Sequence, residues 1–399
     1  MVMVFMRGRR LLVFTGFYLP SFKAGGPVKT LENMVDQLDA FNFELVTRDR
    51  DLGDSKAFPN VEVNAWLVVD NSSVMYLAPE VLSLKHISHV INTTEFDVLY
   101  LNSFFDFNFT IKPLLGRRFS LVKPCPVVLA PRGEFSSGAL ALKSFKKKLF
   151  IKLSSWLGLY RGITWQASSE LEKQDIISTL KVEPSTVFIA KDLPPKVSVS
   201  IGDLALKPNE ICKIVFLSRI SPMKNLDFAL QVLGSVESDL VFDIYGPIED
   251  KEYWQVCLDL IEKLPSNIVV NYCGAVTPDQ VTEVFSDYDL FFFPTRGENY
   301  GHVIAESLSV GTPVLLSDQT PWQDLENDKL GWDFPLESEL FVRKIENVAN
   351  MDAESRLNWR QEVAVNSVSK INNEQDIADN IALFEFAMER FKKNHRVSK

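Results

Sequence analysis

Cysteine is scarce in this 399-residue chain. Cys125, Cys212, Cys257 and Cys273 share no CxxC spacing and no zinc-ligand rhythm, which sets aside a disulfide framework and a structural metal site. They read as reduced, mostly buried thiols. No run reaches the roughly 18–20 apolar residues needed to cross a bilayer. The opening MVMVFMRGRRLLVFTGFYLP places basic residues before an apolar run, but that run is short and no small-residue cleavage site follows. It reads as a first buried strand, and the chain is expected to be cytoplasmic. No G-x-G-x-x-G follows this strand, which argues against a dinucleotide oxidoreductase. An excess of positive charge is missing too: 42 Lys+Arg against 52 Asp+Glu give a net charge of −10, which argues against general nucleic-acid binding.

What is present suits two cores. The chain is 46% hydrophobic and 11% aromatic, and its length is too great for one core. The two halves also differ in charge. Residues 1–200 hold 24 Lys+Arg against 19 Asp+Glu (+5), and residues 201–399 hold 18 against 33 (−15). The halves therefore present different surfaces, suited to different partners.

Short apolar runs alternate with helical periods throughout, the pattern of βαβ units and parallel sheets. Expected strands in the first half are 11–16, 43–47, 97–101, 127–130, 163–167 and 187–190. Gly25-Gly26-Pro27 opens a helix with proline in its first turn, where the missing N–H costs nothing. Ser169 and Glu172 have the spacing of a capping box. A proline-containing stretch, 192–209, reads as a linker. Strands at 213–218, 242–246, 268–272, 290–294 and 313–317 follow, and a long helix covers about Gln375 to Lys393.

Two segments carry the chemistry. In RGENYGHVIAESLSVGTPVLLSD (296–318) a very apolar strand leads through a glycine-containing turn into a helix near His302. Such a helix start offers unpaired N–H groups and a positive dipole end to a phosphate. Glu298 stands on the turn and Glu306 in the second helical turn. In FLSRISPMKNLD (216–227), Arg219 and Lys224 lie just past a strand. Taken alone, two glutamates eight apart usually cap or solvate a helix, and an Arg and a Lys at a strand end are usually surface charges.

Glu298-x7-Glu306 before Gly311-Thr312-Pro313, with Arg219-x4-Lys224 upstream, resembles the donor site of retaining glycosyltransferases of family 4. Segments 47–54 and 130–150 are similar to a subgroup active in polysaccharide assembly. The resemblance implies a GT-B architecture, two Rossmann-like doubly wound α/β domains with an interdomain cleft. The domains would be 1–195, joined by a C-terminal helix of about 378–399, and 196–377. It implies that Glu298 contacts donor-sugar hydroxyls and Glu306 the ribose. Backbone of Asn299, Tyr300, Gly301 and His302 would face the diphosphate, whose growing charge Arg219 and Lys224 would neutralise, with no metal and no cofactor. Gly25 and Gly26 would form the glycine-rich loop approaching donor phosphate and acceptor, where a side chain would block contact. Asn102, Ser103 and Arg132 would lie on the acceptor side. Gln166 stands where many members carry His, and Asn299-Tyr300 replaces Gly-Phe.

Asp49-Arg50-Asp51 and Asp287-Tyr288-Asp289 mimic a metal-binding DxD motif but read better as strand-end residues. Glu298 and Glu306 as a glycosidase pair would leave Arg219 and Lys224 unexplained. Lys143, Lys146, Lys147, Lys148 and Lys152 interleave with Phe145, Leu149, Phe150 and Ile151, which fits either an anionic-lipid contact or a solvated helix face. The expected function is retaining, metal-independent transfer of a hexose-type sugar from a nucleotide diphosphate sugar to a saccharide or lipid-linked acceptor. The place would be the cytoplasm, including the inner membrane face. A non-catalytic sugar-nucleotide or polysaccharide binder of the same fold, or a GT-B-like phosphorylase or epimerase, stays open.

Overall fold

The computed structural model describes residues 8–136, 140, 144–196 and 206–396. Lys143 and the middle of the expected linker, 197–205, lie outside them. The chain divides into two units: residues up to Leu193 together with those from Glu374 onward, and Pro194–Asn373.

The first unit is built on β1 (Arg9–Phe14), α1 (Gly26–Gln37), β2 (Phe41–Arg48), β3 (Trp66–Val69), β4 (Ser72–Leu77), α2 (Leu84–Thr93), β5 (Val98–Asn102), α3 (Lys112–Arg118), β6 (Val127–Ala130), α4 (Ser144–Trp156), β7 (Thr164–Ala167), α5 (Glu170–Leu180) and β8 (Val187–Ile189). Its eight strands run in the order β3-β4-β2-β1-β5-β6-β7-β8. All pairs are parallel except β3 with β4. Strands β5 and β6 are buried along their whole length, as expected of a sheet covered on both faces. The β3–β4 hairpin is not foreseen from the sequence. Its two-residue turn is Asp70-Asn71, and Asp70 takes φ 47 without any glycine to announce it.

Ser169 caps α5 by accepting from the Glu172 N–H at 3.1 Å, as its spacing predicts. The Glu172 carboxylate reaches further than a local box, accepting from the N–H groups of Ser168 (2.7 Å) and Gly133 (2.6 Å). Gln166 is buried and structural: Tyr100 donates to its Oε1, and its Nε2 donates to the Ala190 carbonyl at 2.9 Å.

The second unit contains β9 (Cys212–Leu217), α6 (Leu226–Leu233), β10 (Leu240–Tyr245), α7 (Lys251–Ile261), β11 (Ile268–Gly274), α8 (Val281–Ser286), β12 (Leu290–Phe293), α9 (His302–Ser309), β13 (Val314–Ser317), β14 (Gly331–Phe334), α10 (Ser338–Ala349) and α11 (Ala353–Ile371). Its six strands are all parallel, in the order β11-β10-β9-β12-β13-β14. Helix α12 (Glu374–Arg396) then returns to the first unit. There the Phe384 ring meets Phe41 (5.3 Å) and Tyr100 (5.2 Å) edge-on, and Arg390 donates to the Ile163 carbonyl at 2.6 Å.

Candidate active site

The strand order of the second unit reverses between β9 and β12, which lie side by side. In open α/β sheets ligands bind beyond the carboxyl ends of the strands at such a reversal. Loops 218–225 and 294–301 begin there, and they carry Arg219, Lys224 and Glu298.

Local chemistry shapes the first loop. Pro222 starts a short 3-10 turn to Lys224, and Asn225 then adopts the left-handed conformation (φ 61) before α6 begins. Asparagine tolerates that conformation because its side chain hydrogen-bonds locally. Here the buried Asn225 amide donates to the Pro294 carbonyl at 2.9 Å, and its Oδ1 accepts from Arg296 Nε at 2.8 Å. The Met223 carbonyl accepts from the Arg296 N–H (2.9 Å) and Thr295 Oγ1 (3.1 Å). Four bonds thus lace the two loops together.

This lacing brings Lys224 and Glu298 into a direct ion pair, with side chains only 12% and 15% exposed. The Lys224 ammonium also lies over the Phe293 ring, 5.5 Å from its centroid. A charge pair so shielded interacts more strongly than one in open water. Arg219 behaves differently. Its guanidinium pairs with Glu249 at 3.0 Å, and both side chains are about half exposed. The first loop is further pinned where Gly246 (φ 137) follows β10. A Cβ there would lie 1.8 Å from the Ser218 carbonyl oxygen, so only glycine allows that approach.

The second loop ends in Gly301, whose φ of 81 starts α9. The Glu298 N–H donates to the Gln319 carbonyl at 3.1 Å, and Trp322 Nε1 to the Tyr300 carbonyl at 2.7 Å. The Tyr300 ring stands 4.8 Å from the buried His302 imidazole and 5.6 Å from Trp322. Asn299 and Glu306 are both half-buried. The loop therefore fixes where α9 starts, and the Ile304 N–H turns back onto the Gly301 carbonyl at 2.8 Å.

Gly25 and Gly26 lie in the first unit, at the start of α1. Gly25 has φ 68 and nothing within 4 Å of a would-be Cβ. Within the protein, backbone conformation and not crowding calls for glycine there. The residues expected on the acceptor side meet at the ends of β5 and β6. Arg132, itself at φ 59, pairs with Asp192 and donates to Asn102 Oδ1 (2.9 Å) and the Tyr100 hydroxyl (2.5 Å). The Asn102 amide nitrogen is buried with no partner among the described residues. Ser103 Oγ donates to Glu134 at 2.8 Å, and burial pushes the Glu134 carboxyl above its ordinary pKa.

The DxD lookalikes are structural. Asp289 is buried, accepting from the Lys213 N–H (2.9 Å) and Asn209 (3.2 Å). Asp51 accepts from Ser21 Oγ and from the N–H groups of Phe22, Lys23 and Leu52. Among the described residues no cluster of three His, Cys, Asp or Glu could hold a metal ion. Sequence reasoning missed Asn225 and Glu249. The first sits beside Lys224 and could have been read from the loop-closing habit of asparagine. The second has no signal, because its partner is brought to it by the β9–β10 pairing.

Residues 205–364 match the family model of glycosyl transferases group 1. The matched segment falls within the second unit, Pro194–Asn373. An uncharacterized 41.2 kDa protein in a cps region of Klebsiella pneumoniae is 25% identical over 243 residues, covering 59% of this chain and 64% of that protein. A D-inositol 3-phosphate glycosyltransferase of Rhodococcus erythropolis is 27% identical over 124 residues, covering 29% of this chain and 28% of that protein. The chain thus spans less than two thirds of the curated relatives it matches. Among solved structures, HepE of Anabaena in complex with UDP and glucose superposes with a TM-score of 0.64 at 13% identity, covering 96% of this chain and 100% of that one. The fold is GT-B, with two Rossmann-like sheets. No helix of the described residues is long and apolar enough to cross a membrane.

Proposed function

We propose that this protein is a retaining, metal-independent glycosyltransferase of family 4. It would move a sugar from a nucleotide diphosphate sugar to a saccharide or lipid-linked acceptor in the cytoplasm. The observation that carries this reading is the shielded Lys224–Glu298 pair at the strand reversal of a group 1 domain. The pair holds a cation for phosphate and a carboxylate for sugar hydroxyls in one place, each neutralising the other until donor arrives.

On donor binding, Lys224 turns to the diphosphate while Glu298 accepts hydrogen bonds from sugar hydroxyls. Glu306, one helical stretch further, accepts from the ribose hydroxyls, and the N–H groups at the start of α9 face the phosphates. As the bond between the anomeric carbon and the β-phosphate oxygen breaks, negative charge grows on that oxygen. Lys224 and Arg219 stabilise it, and no residue is needed as a covalent nucleophile. The departing phosphate takes the acceptor hydroxyl proton while the acceptor oxygen bonds to the anomeric carbon from the same face. Charge and protons balance without a further reactant. The UDP and glucose bound by HepE fit a nucleotide-sugar donor, and the cps-region relative fits an acceptor used in polysaccharide assembly.

A thermal-shift panel of UDP-, GDP- and ADP-sugars, followed by donor turnover with and without EDTA, tests this. Lys224→Ala and Glu306→Ala should each lower kcat/KM at least about a hundredfold with the fold intact. Full turnover in both variants sinks the site, and abolition by EDTA overturns metal independence.

A further inference from the structure

Helix α4, Ser144–Trp156, turns a greasy face to solvent. Phe145 is 78% exposed and Trp156 81%, with Leu149 and Leu153 about half exposed between them. At 3.6 residues per turn these four side chains fall within one arc of about 80°. Lys148 and Lys152 line one edge of that arc and Lys146 the other, all exposed. The opposite face is committed to the fold. Phe150 and Ile151 pack on the core of the first unit, Ser154 is buried, and Lys147 lies over the Phe105 ring at 5.0 Å. The exposed stripe is therefore not a core face left uncovered by a rotated helix; the helix has its own core face as well.

No Asp or Glu occurs between Glu134 and Glu170. At the far end the exposed Arg118 donates to the Leu157 carbonyl at 2.7 Å, adding a cation just past the last turn. An apolar centre with a rim of cations and no anions matches one environment: the headgroup layer of an anionic bilayer, where rings and leucines enter the acyl boundary and lysines reach lipid phosphates. We propose that α4 docks this protein, lying flat, on an anionic lipid surface. At 13 residues and roughly 20 Å the helix is too short to span a bilayer, which fixes the in-plane orientation. A second copy of the chain fits less well, since a two-fold contact would set each lysine rim against its own copy. A nucleic acid would satisfy the lysines and leave Phe145 and Trp156 facing phosphate.

The test is flotation of the full chain with vesicles of phosphatidylglycerol and phosphatidylcholine, against phosphatidylcholine alone, at low and physiological salt. Partition should be at least about tenfold stronger on the anionic vesicles and fall with salt. Phe145→Ser with Trp156→Ser, and separately Lys148→Glu with Lys152→Glu, should each lower it about tenfold with the melting temperature unchanged. All four side chains point to solvent, so folding is spared. Absence of partition, variants that bind equally, or a dimer by light scattering that the Phe145/Trp156 variant dissolves would each overturn the proposal. The assay reads no sugar transfer, so its outcome is separate from that of the donor chemistry.

Discussion

The side-chain amide of Asn225 donates to the carbonyl of Pro294 at 2.9 Å, and this bond ties the loop that bears Lys224 to the loop that bears Glu298. The same side chain accepts from Arg296 at 2.8 Å, so one buried residue holds both loops. Its left-handed backbone (φ 61) leaves few substitutes.

Asn225→Ala should cost about 2–3 kcal/mol, from two lost bonds and the strained backbone, and lower kcat/KM about tenfold. Asn225→Gly removes the strain but not the lost bonds. It should regain part of the stability and none of the activity, with the loss falling on kcat more than KM. Denaturant unfolding and steady-state kinetics on both variants check this. Recovery of full activity by glycine would show that the tether has no positioning role.

Arg219 is held by Glu249 in an exposed pair, which is worth little to the fold. Glu249→Gln should change stability by less than about 0.5 kcal/mol and tighten binding of UDP by freeing the guanidinium. Arg219→Ala should weaken UDP binding about tenfold at similar stability. Calorimetric titration with UDP gives both numbers, and weaker binding by Glu249→Gln would remove Arg219 from the site.

Gly246→Ala puts a methyl 1.8 Å from the Ser218 carbonyl oxygen, backbone against backbone, in a conformation alanine avoids. A loss of about 3 kcal/mol or more is expected, seen as insoluble or partly unfolded protein. Gly301→Ala is milder at about 1–2 kcal/mol, because the atom it meets at 2.7 Å is the flexible end of Ile304. Equal melting temperatures for the two variants would contradict this ranking.

Asp51 supplies a pH dependence. Burial alone would raise its pKa, but bonds from Ser21 and from the Phe22, Leu52 and Lys23 N–H groups outweigh burial and hold it below 3.8. Its stabilisation is complete above about pH 4 and is lost as pH falls through the depressed folded value. The melting-temperature gap between wild type and Asp51→Asn should therefore be constant near neutrality and close below about pH 4. A gap that does not narrow on acidification would exclude the carboxylate as its source.

Apolar periodicity made the parallel strands legible, because a strand buried on both faces leaves a run such as VVLA (127–130). The β3–β4 hairpin was hidden: its strands are short and its Asp70-Asn71 turn contains no glycine. Lys224 and Glu298 could be read as chemically apt residues, since each follows an apolar strand. Their contact could not, for it depends on β9 and β12 being neighbours, and neighbour order is set by packing across the whole sheet. Arg132 is the reverse case. Nothing in PRGE announces its partners, yet it is bonded to Asp192, Tyr100 and Asn102, brought together by strand ends far apart in the chain.

Helix α12 belongs to the first unit, although all of the second unit precedes it in the chain. During synthesis, then, Phe41 and Tyr100 wait without the Phe384 ring, and Gln166 and Lys191 wait without Asn380, until α12 leaves the ribosome. Residues 194–373 are by then all available. The second unit therefore has its whole chain available while the first still has an open seam.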